Sequence, residues 1–259
     1  MLDAPDSHAD IVARLRFVGC VFAEDEAHLL LAAARSDTDL AGMVDRRSSG
    51  TPLEHILGWA EFRGLRIIVH PGVFVPRRRT EFLVDCAAEL AAPSAIVVDV
   101  CCGSGAVGAA LQAALPSIEL HATDVDSTAV PCARRNIAPA GGHAYVGDLT
   151  APLPPRLLGR VDIMTANAPY VPTDKIGLMP PEARLYEPQV ALDGGPDGLD
   201  VQRRIIAAAP RWLAAGGHLL IESNERQAAN TADAMASNGL TPRIATSDDV
   251  DTAVVIGTR

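Results

Sequence analysis

The sequence predicts an α/β protein with a doubly wound, mostly parallel sheet of seven strands, and two observations support this prediction. Short apolar runs alternate with helix-like segments from Ile96 onward, and turns rich in glycine or polar residues directly follow two of those runs. Strands that alternate with helices are typical of parallel sheets covered on both faces. The predicted strands are Ile96–Val100, Ile118–Thr123, His143–Val146, Val161–Ala166 and His218–Glu222, followed by an antiparallel pair near Pro242–Ala245 and Ala253–Gly257.

Helices are predicted between these strands and at the start of the chain. Apolar residues keep a helical spacing from about residue 7 to 34, with an acidic break, and a short helix is expected within residues 36–49. Loose alternation around Gly64 predicts a β-hairpin. The predicted domains are a helical N-terminal domain (1–57), a hairpin linker (58–75) and an α/β domain (76–259). The helices expected in the last domain are Thr80–Ala91, Ala106–Leu115, Ser127–Ile137, Val201–Ala215 and Arg226–Ser237.

Composition narrows the class of function. The net charge of -10 counts against a nucleic-acid substrate, because phosphate binding needs concentrated lysine and arginine. The five cysteines are odd in number and show no CxxC spacing, so we expect no disulfide, no metal site and a reducing compartment. The first ten residues are polar and acidic, and no apolar run reaches transmembrane length. We therefore expect no signal peptide, no membrane partner and a cytoplasmic location.

A glycine turn after the first predicted strand indicates a cofactor site. Residues 103–108 match the GxGxxG pattern and open a predicted helix, and Asp124 lies about twenty residues further on. Glycines let the backbone approach a ligand closely, and a helix N-terminus favours a negative group. That group would be the pyrophosphate of a nicotinamide cofactor or the carboxylate of S-adenosylmethionine. In either case Asp124 can accept hydrogen bonds from ribose hydroxyls.

Two further acids bear on the choice of cofactor. Asp99 lies inside the strand just before the turn, where a carboxylate can hold the cationic end of S-adenosylmethionine, and a dehydrogenase has less use for it. Asp148 follows the third strand and either accepts from the adenine amino group or caps its own turn. We predict S-adenosylmethionine as the cofactor. The residues predicted to contact it are Asp99, Cys101, Cys102, Gly103, Ser104, Gly105, Asp124, Asp148, Leu149 and Asn167.

The segment Asn167-Ala168-Pro169-Tyr170, called the clamp below, follows the buried run Val161–Ala166. Ligands of open α/β sheets bind at the carboxyl ends of strands. An amide nitrogen is a poor nucleophile, so a site that methylates it should hold its N–H groups with preorganised acceptors. Asn167 offers a side-chain oxygen and Ala168 a main-chain carbonyl, while Pro169 fixes the turn and Tyr170 forms a wall. The clamp is therefore predicted to be the catalytic segment of an amide N-methyltransferase.

Further segments match one known family together with the clamp. They are Pro52–Gly58, Gly64–Leu65, Pro71–Val73, Phe74–Arg77, Thr80–Glu81, Tyr186–Pro188, Gly194–Gly195, Asp197–Asp200, and Gly216–Gly217 before a strand ending in Glu222. From about Pro52 to the C-terminus, the chain resembles the protein N(5)-glutamine methyltransferases that modify peptide-chain release factors. The resemblance implies a class I S-adenosylmethionine-dependent methyltransferase sheet and a small helical domain that docks the release factor. The methylated glutamine would lie in that factor's Gly-Gly-Gln loop.

The chain departs from the family pattern at a few positions. Ala168 replaces the first proline of an Asn-Pro-Pro-Tyr segment, and it keeps the carbonyl acceptor. Cys101 replaces the first glycine of the cofactor turn, and we expect it to exclude positive φ there. Arg78 and Arg79 replace a proline and an acid, so the mouth of the pocket is expected to be more basic.

Plainer interpretations stay open beside this one. Arg77–Arg79 is by default a solvated helix start, Cys101 and Cys102 are packing residues, and Trp59 and Trp212 are core anchors. The same chemistry on another protein or a small molecule is an alternative function. An adenine-amino DNA methyltransferase would share the clamp but needs a recognition segment and a basic face. A cofactor-binding protein without catalysis would explain Cys101 and Ala168.

Overall fold

The computed structural model describes residues 7–259. Its first part is helical, with α1 (His8–Phe17), α2 (Ala23–Ala33), α3 (Asp37–Ser48) and α4 (Leu53–Leu57). Ser7 caps α1 in a capping box, and the Ser36 side chain accepts from the third residue of α3. The helical stretch expected at residues 7–34 is two helices, because the chain turns at Gly19 with a φ of 92°. These helices enclose a small core of their own, built on residues such as Ile11, Leu15 and Leu30.

A β-hairpin connects this helical part to the sheet. Strands β1 (Trp59–Phe62) and β2 (Leu65–Ile68) pair antiparallel around Arg63 and Gly64, which both have positive φ. Phe62 packs in the same core cluster as one face of the large sheet, and Asn136 bonds both backbone groups of Ile68. The hairpin therefore packs against the sheet domain. The domain limits given above fall on either side of this hairpin, and we retain them as a proposal.

The large sheet contains the strands β3 (Ile96–Val100), β4 (Glu119–Asp124), β5 (His143–Val146), β6 (Val161–Ala166), β7 (Leu213–Ser223), β8 (Thr241–Ser247) and β9 (Thr252–Thr258). Their order across the sheet is β5-β4-β3-β6-β7-β9-β8. Strands β3 to β7 run parallel, and β9 pairs antiparallel with β7 and β8 at one edge. The predicted fold class is thus confirmed, with β7 longer than expected because it begins before the Gly216 turn.

Helices cover both faces of the sheet. These helices are α5 (Glu81–Leu90), α6 (Ala106–Ala114), α7 (Ala129–Ile137), α8 (Pro181–Tyr186), α9 (Asp200–Trp212) and α10 (Glu225–Ser237). On one face α5, α6 and α7 contribute Leu83, Leu111 and Ile137 to a core cluster. On the other face α9 and α10 contribute Ile205 and Met235 to a second core cluster. Sequence patterning predicted five of these within a few residues, and it missed the short α8.

The topology creates one crevice. The chain proceeds outward from β3 to β4 and β5, then returns to place β6 on the other side of β3. The strand order therefore reverses at the β3–β6 pair, which is where open α/β sheets bind ligands. Within residues 7–259, no helix has both the length and the apolar character needed to cross a membrane.

Candidate active site

A cavity of about 1050 Å³, counting the space open to solvent, lies at the carboxyl ends of β3, β4 and β6. The loops after these strands line it together with residues of the segments 74–80 and 187–192. The topology thus brings together most of the predicted site. The predicted residues that line the cavity are Asp99, Cys101, Cys102, Gly103, Ser104, Asp124, Asn167, Ala168, Pro169 and Tyr170.

Asp124 joins the cofactor turn to the next strand. Its carboxylate accepts from the backbone N–H of Gly103 at 2.8 Å and from that of Asp126 at 2.9 Å. Burial raises the pKa of Asp124, and these two backbone donors oppose that effect. Each carboxylate oxygen has a further lone pair, so Asp124 can still accept from a ligand in the cavity.

Asp99 presents an unpaired acceptor at the same cavity. The residue is 1% exposed, and its Oδ1 accepts from the Thr165 hydroxyl at 2.9 Å. Its Oδ2 is buried and has no hydrogen-bond partner among residues 7–259. Burial raises the pKa of Asp99 to about 7, since the charged form is poorly solvated there. A cationic ligand group could donate a hydrogen bond to this oxygen, so Asp99 fits the ammonium end of S-adenosylmethionine.

Cys101 corrects one expectation. The residue has a φ of 57°, in the left-handed region that we expected cysteine to exclude. A single non-glycine residue can adopt this conformation at a cost of about 1 kcal/mol or more. The turn therefore keeps the shape that glycine would give it, with Cys101 packed against the second core cluster. Burial raises the pKa of the Cys101 and Cys102 thiols, which suits packing residues and not nucleophiles.

Three predicted residues do not line the cavity. Gly105 lies against α7, where an added Cβ would be 3.0 Å from the Cα of Ala133, so this glycine permits helix packing. The Asp148 carboxylate pairs with the guanidinium of Arg204 on α9, and Leu149 packs against the second core cluster. Sequence reasoning missed Asp126, which does line the cavity and lies two residues after the end of β4.

The clamp lies directly after β6, and its groups are held from several directions. The Nδ2 of Asn167 donates to the Thr80 hydroxyl at 3.1 Å, which leaves Oδ1 available to a ligand. The carbonyl of Tyr170 accepts from Nε2 of Gln227 at 3.1 Å. Gly198, with a φ of 79°, packs so tightly against this carbonyl that a Cβ would collide with it. The far end of the clamp is therefore fixed by α10 and by the loop before α9.

Two of the three arginines at the mouth, Arg77 and Arg79, are paired, which corrects for these two the expectation of a solvated and basic helix start. Arg77 donates to the buried Glu187 carboxylate at 2.5 Å. The Nε of Arg79 donates to the buried carboxylate of Glu222 at 3.2 Å, and its guanidinium also donates to the Tyr170 hydroxyl. Among these three arginines, Arg78 alone is exposed. The basic triplet thus adds little net positive charge to the mouth.

The raised pKa of Asp99 predicts a pH effect on stability. A carboxyl with a pKa of 3.8 when unfolded and about 7 when folded stabilises the fold below pH 4 and loses that contribution as the pH rises through 7. Asp99→Asn removes this titration. We compare the melting temperatures of the variant and the native protein, both without ligand. The melting temperature of the variant minus that of the native protein should increase from about pH 5 to about pH 8. A difference that does not change with pH would contradict the assignment.

The fold and this site together define a class of protein. A switch-point cavity bounded by acids at the carboxyl ends of β3 and β4 and by an Asn-x-Pro-Tyr clamp after β6 is that of a class I S-adenosylmethionine-dependent methyltransferase. Residues 64–178 match the family model described as Methyltransferase small domain. The chain is 40% identical over 189 residues to a release factor glutamine methyltransferase of Geobacter sulfurreducens, covering 72% of this chain and 66% of that protein. It is 38% identical over 199 residues to the one of Mycolicibacterium smegmatis, covering 76% and 70%.

The chain belongs to the release factor glutamine methyltransferase family. The aligned segments span about two thirds of the length of these relatives. Solved structures agree on the fold. A methyltransferase from Pyrococcus furiosus superposes with a TM-score of 0.56 at 16% identity, covering 76% of this chain and 89% of that one. A Thermus thermophilus 16S rRNA N2 G1207 methyltransferase in complex with AdoMet and guanosine gives 0.54 at 18% identity, covering 78% and 49%.

Proposed function

We propose that this protein transfers a methyl group from S-adenosylmethionine to the side-chain amide nitrogen of a glutamine in a peptide-chain release factor. The observation behind this proposal is the orientation of Asn167. Its Nδ2 is engaged by Thr80, so its Oδ1 is the atom offered to the cavity, and an oxygen there accepts a hydrogen bond from a substrate N–H. The 34–40% identical relatives carry the matching name. The cytoplasm, where release factors act on ribosomes, is the corresponding location.

In this proposal the part of the cavity at the ends of β3 and β4 holds the cofactor, whose sulfonium supplies the methyl group. Asp124 would accept from the ribose hydroxyls and the free oxygen of Asp99 from the ammonium group. The backbone around Gly103 and Ser104 would approach the ligand at the turn before α6. Cys101 and Cys102 would contribute surface only. Asp148 and Leu149 lie outside the cavity lining, and we assign them no contact.

The clamp would bind the glutamine amide. Oδ1 of Asn167 and the carbonyl of Ala168 would each accept one N–H, which fixes the amide plane and aims the nitrogen into the cavity. Pro169 and the ring of Tyr170 would confine the group from the side. The nitrogen would take the methyl group as the carbon–sulfur bond breaks, and it would then release one N–H proton to solvent. Preorganised acceptors and the alignment of the reacting atoms would provide the rate enhancement over the uncatalysed reaction.

Exposed apolar side chains near the mouth offer a surface for a protein substrate. Leu178 and Leu185 are 79% and 68% exposed, and both lie in the segment between the clamp and Glu187. Neighbouring Met179 and Val190 line the cavity itself. Apolar residues grouped around a pocket are typical of sites that dock a protein. Paired arginines and a net charge of -10 make a nucleic-acid substrate less favourable here.

The double variant Leu178→Ser/Leu185→Ser should therefore raise KM for the release factor. Loss of two apolar contacts should raise this KM roughly 10-fold. The kcat should stay within about twofold of the native value because the clamp is unchanged. Ile244→Ser is a matched control, since Ile244 is also exposed but lies on the edge strand β8. An equal rise in KM for the control, or no rise in the double variant, would count against docking at the mouth.

The proposed function is tested by methyl transfer from labelled S-adenosylmethionine to purified release factor. Label is expected on the intact factor and not on a factor whose loop glutamine is replaced by alanine. A parallel reaction with other proteins and with small amides tests the alternative acceptor. Bound cofactor without label on the release factor would overturn the proposed acceptor and leave the methyltransferase class in place.

A further inference from the structure

The two acceptors proposed for the clamp match only part of a primary amide. Oδ1 of Asn167 and the carbonyl of Ala168 each take one N–H, whereas the carbonyl oxygen of the substrate amide can only accept a hydrogen bond. Moving that oxygen from water into the cavity is unfavourable unless a donor replaces the lost water. A site that matches the whole amide therefore needs a donor beside these two acceptors.

The hydroxyl of Tyr170 has the properties of such a donor. Tyr170 is the last residue of the clamp, and it lines the cavity together with Arg79. The Arg79 guanidinium donates a hydrogen bond to the Tyr170 hydroxyl. A guanidinium has donors only, so the tyrosine oxygen must accept in this bond, and its own proton points elsewhere.

The proton of the Tyr170 hydroxyl has no acceptor among residues 7–259. Glu222, the other partner of Arg79, accepts from its Nε at 3.2 Å and makes no hydrogen bond with Tyr170. Burial raises the pKa of Tyr170, so the hydroxyl keeps its proton at neutral pH. An O–H donor without an acceptor thus belongs to a residue that lines the cavity.

We propose that the Tyr170 hydroxyl donates a hydrogen bond to the carbonyl oxygen of the substrate glutamine amide, and that Arg79 is the positioning residue that turns its proton to the cavity. This inference rests on the proposed function. Acceptors would meet both N–H groups of the amide, and a donor would meet its oxygen. A carboxylate lacks the N–H groups and an amine lacks the carbonyl, so this arrangement favours glutamine over glutamate or lysine.

Arg79 is itself held from two directions. Its Nε donates to the buried Glu222 carboxylate at the end of β7, and its guanidinium lies 5.8 Å from the centre of the Tyr170 ring. The planar guanidinium therefore has little freedom to turn away from the hydroxyl. Arg78, the preceding residue, is exposed and makes no ion pair in the described part of the chain.

Tyr170→Phe keeps the ring and removes only the donor. The KM for the release factor should rise about 10-fold, because the bond to the carbonyl exists in the bound substrate and in the transition state alike. The kcat and the Kd of S-adenosylmethionine should each stay within about threefold of the native value. Tyr145→Phe is the matched control with native KM, since the Tyr145 hydroxyl bonds His121 outside the cavity lining.

Arg79→Met tests the positioning role. The KM should rise no more than in Tyr170→Phe, and the two changes combined should exceed the larger single effect by less than about twofold, because both act through one bond. Fully additive effects would contradict this role. The variant Arg79→Met/Glu222→Gln leaves no buried carboxylate without its cation and should behave like Arg79→Met. Arg78→Met is the control, with native KM expected.

A measurement on the protein alone does not depend on the acceptor. The chain has three tyrosines, so ¹³C labelling of the ring carbon that bears the hydroxyl gives three NMR signals, and Tyr170→Phe assigns one of them. In Arg79→Met the Tyr170 signal should shift, because the guanidinium no longer donates to the hydroxyl, and the other two should stay. An unchanged Tyr170 signal in Arg79→Met, or an unchanged KM in Tyr170→Phe, would overturn the inference. Failure of the native enzyme to methylate release factor, with the signal shift present, would instead count against the proposed function.

Discussion

Asn167→Ala should lower kcat for glutamine methylation by about 100- to 1,000-fold, the range found when one preorganised acceptor or donor is removed from a transition state. The variant loses Oδ1, the side-chain acceptor that the clamp offers to the substrate amide. The fold should be unaffected, because Asn167 follows β6 and is not part of a core cluster. The Kd of S-adenosylmethionine should stay within about threefold, since Asp99 and Asp124 supply the main cofactor acceptors.

Asn238→Ala is the matched control for this experiment. Asn238 is the C-cap that follows α10, and its side chain bonds the carbonyl of Ala234 at 2.8 Å and no other group in the described part of the chain. We expect normal kcat in this variant. Activity of Asn167→Ala within about fivefold of the native enzyme would contradict the role assigned to the clamp.

Asp124→Ala should strongly weaken the binding of S-adenosylmethionine. A carboxylate that accepts from ribose hydroxyls contributes charge-assisted hydrogen bonds, and their loss should raise the Kd of S-adenosylmethionine by roughly 10- to 100-fold. The variant also releases the backbone N–H of Gly103, so the cofactor turn loses the bond that joins it to the end of β4. Calorimetry with the native protein and the variant measures the difference directly.

Asp148→Ala distinguishes Asp148 from Asp124, two of the three acids that sequence analysis assigned to the cofactor. Its carboxylate is about half exposed and pairs with Arg204, so the cofactor Kd should change by less than about threefold. A large loss of affinity in Asp148→Ala, with little change in Asp124→Ala, would reverse the assignment made from the cavity.

The fold was predictable because its signals are local. Buried parallel strands are nearly continuous apolar runs, and β3, β5 and β6 were predicted with their observed limits. The helices between them were predicted within a few residues because their apolar faces repeat regularly. A break within residues 7–34 was expected at the acidic residues, whereas the chain turns at the left-handed Gly19. The short α8 was missed because its six residues have little periodicity.

The candidate site was only partly predictable, because its side chains meet through tertiary structure. The clamp and the cofactor turn each follow a strand, so their neighbourhood at the sheet edge could be expected. Nothing local indicates that Arg79 pairs with Glu222, more than a hundred residues away, or that Thr80 holds Asn167. The pairing of Asp148 with Arg204 on α9 was not predictable for the same reason, and the contact of Asp148 with the cofactor stays an untested prediction. Cys101 was misjudged because a conformational preference is weaker than the surrounding packing.

The most direct test of the central claim is to locate the transferred methyl group on the release factor by mass spectrometry of its loop peptide. Native enzyme with S-adenosylmethionine should place one methyl group on the side-chain nitrogen of the glutamine in the Gly-Gly-Gln loop, and Asn167→Ala should leave that peptide unmodified. A methyl group on another residue, or equal modification by Asn167→Ala, would contradict the claim that the clamp methylates a glutamine amide.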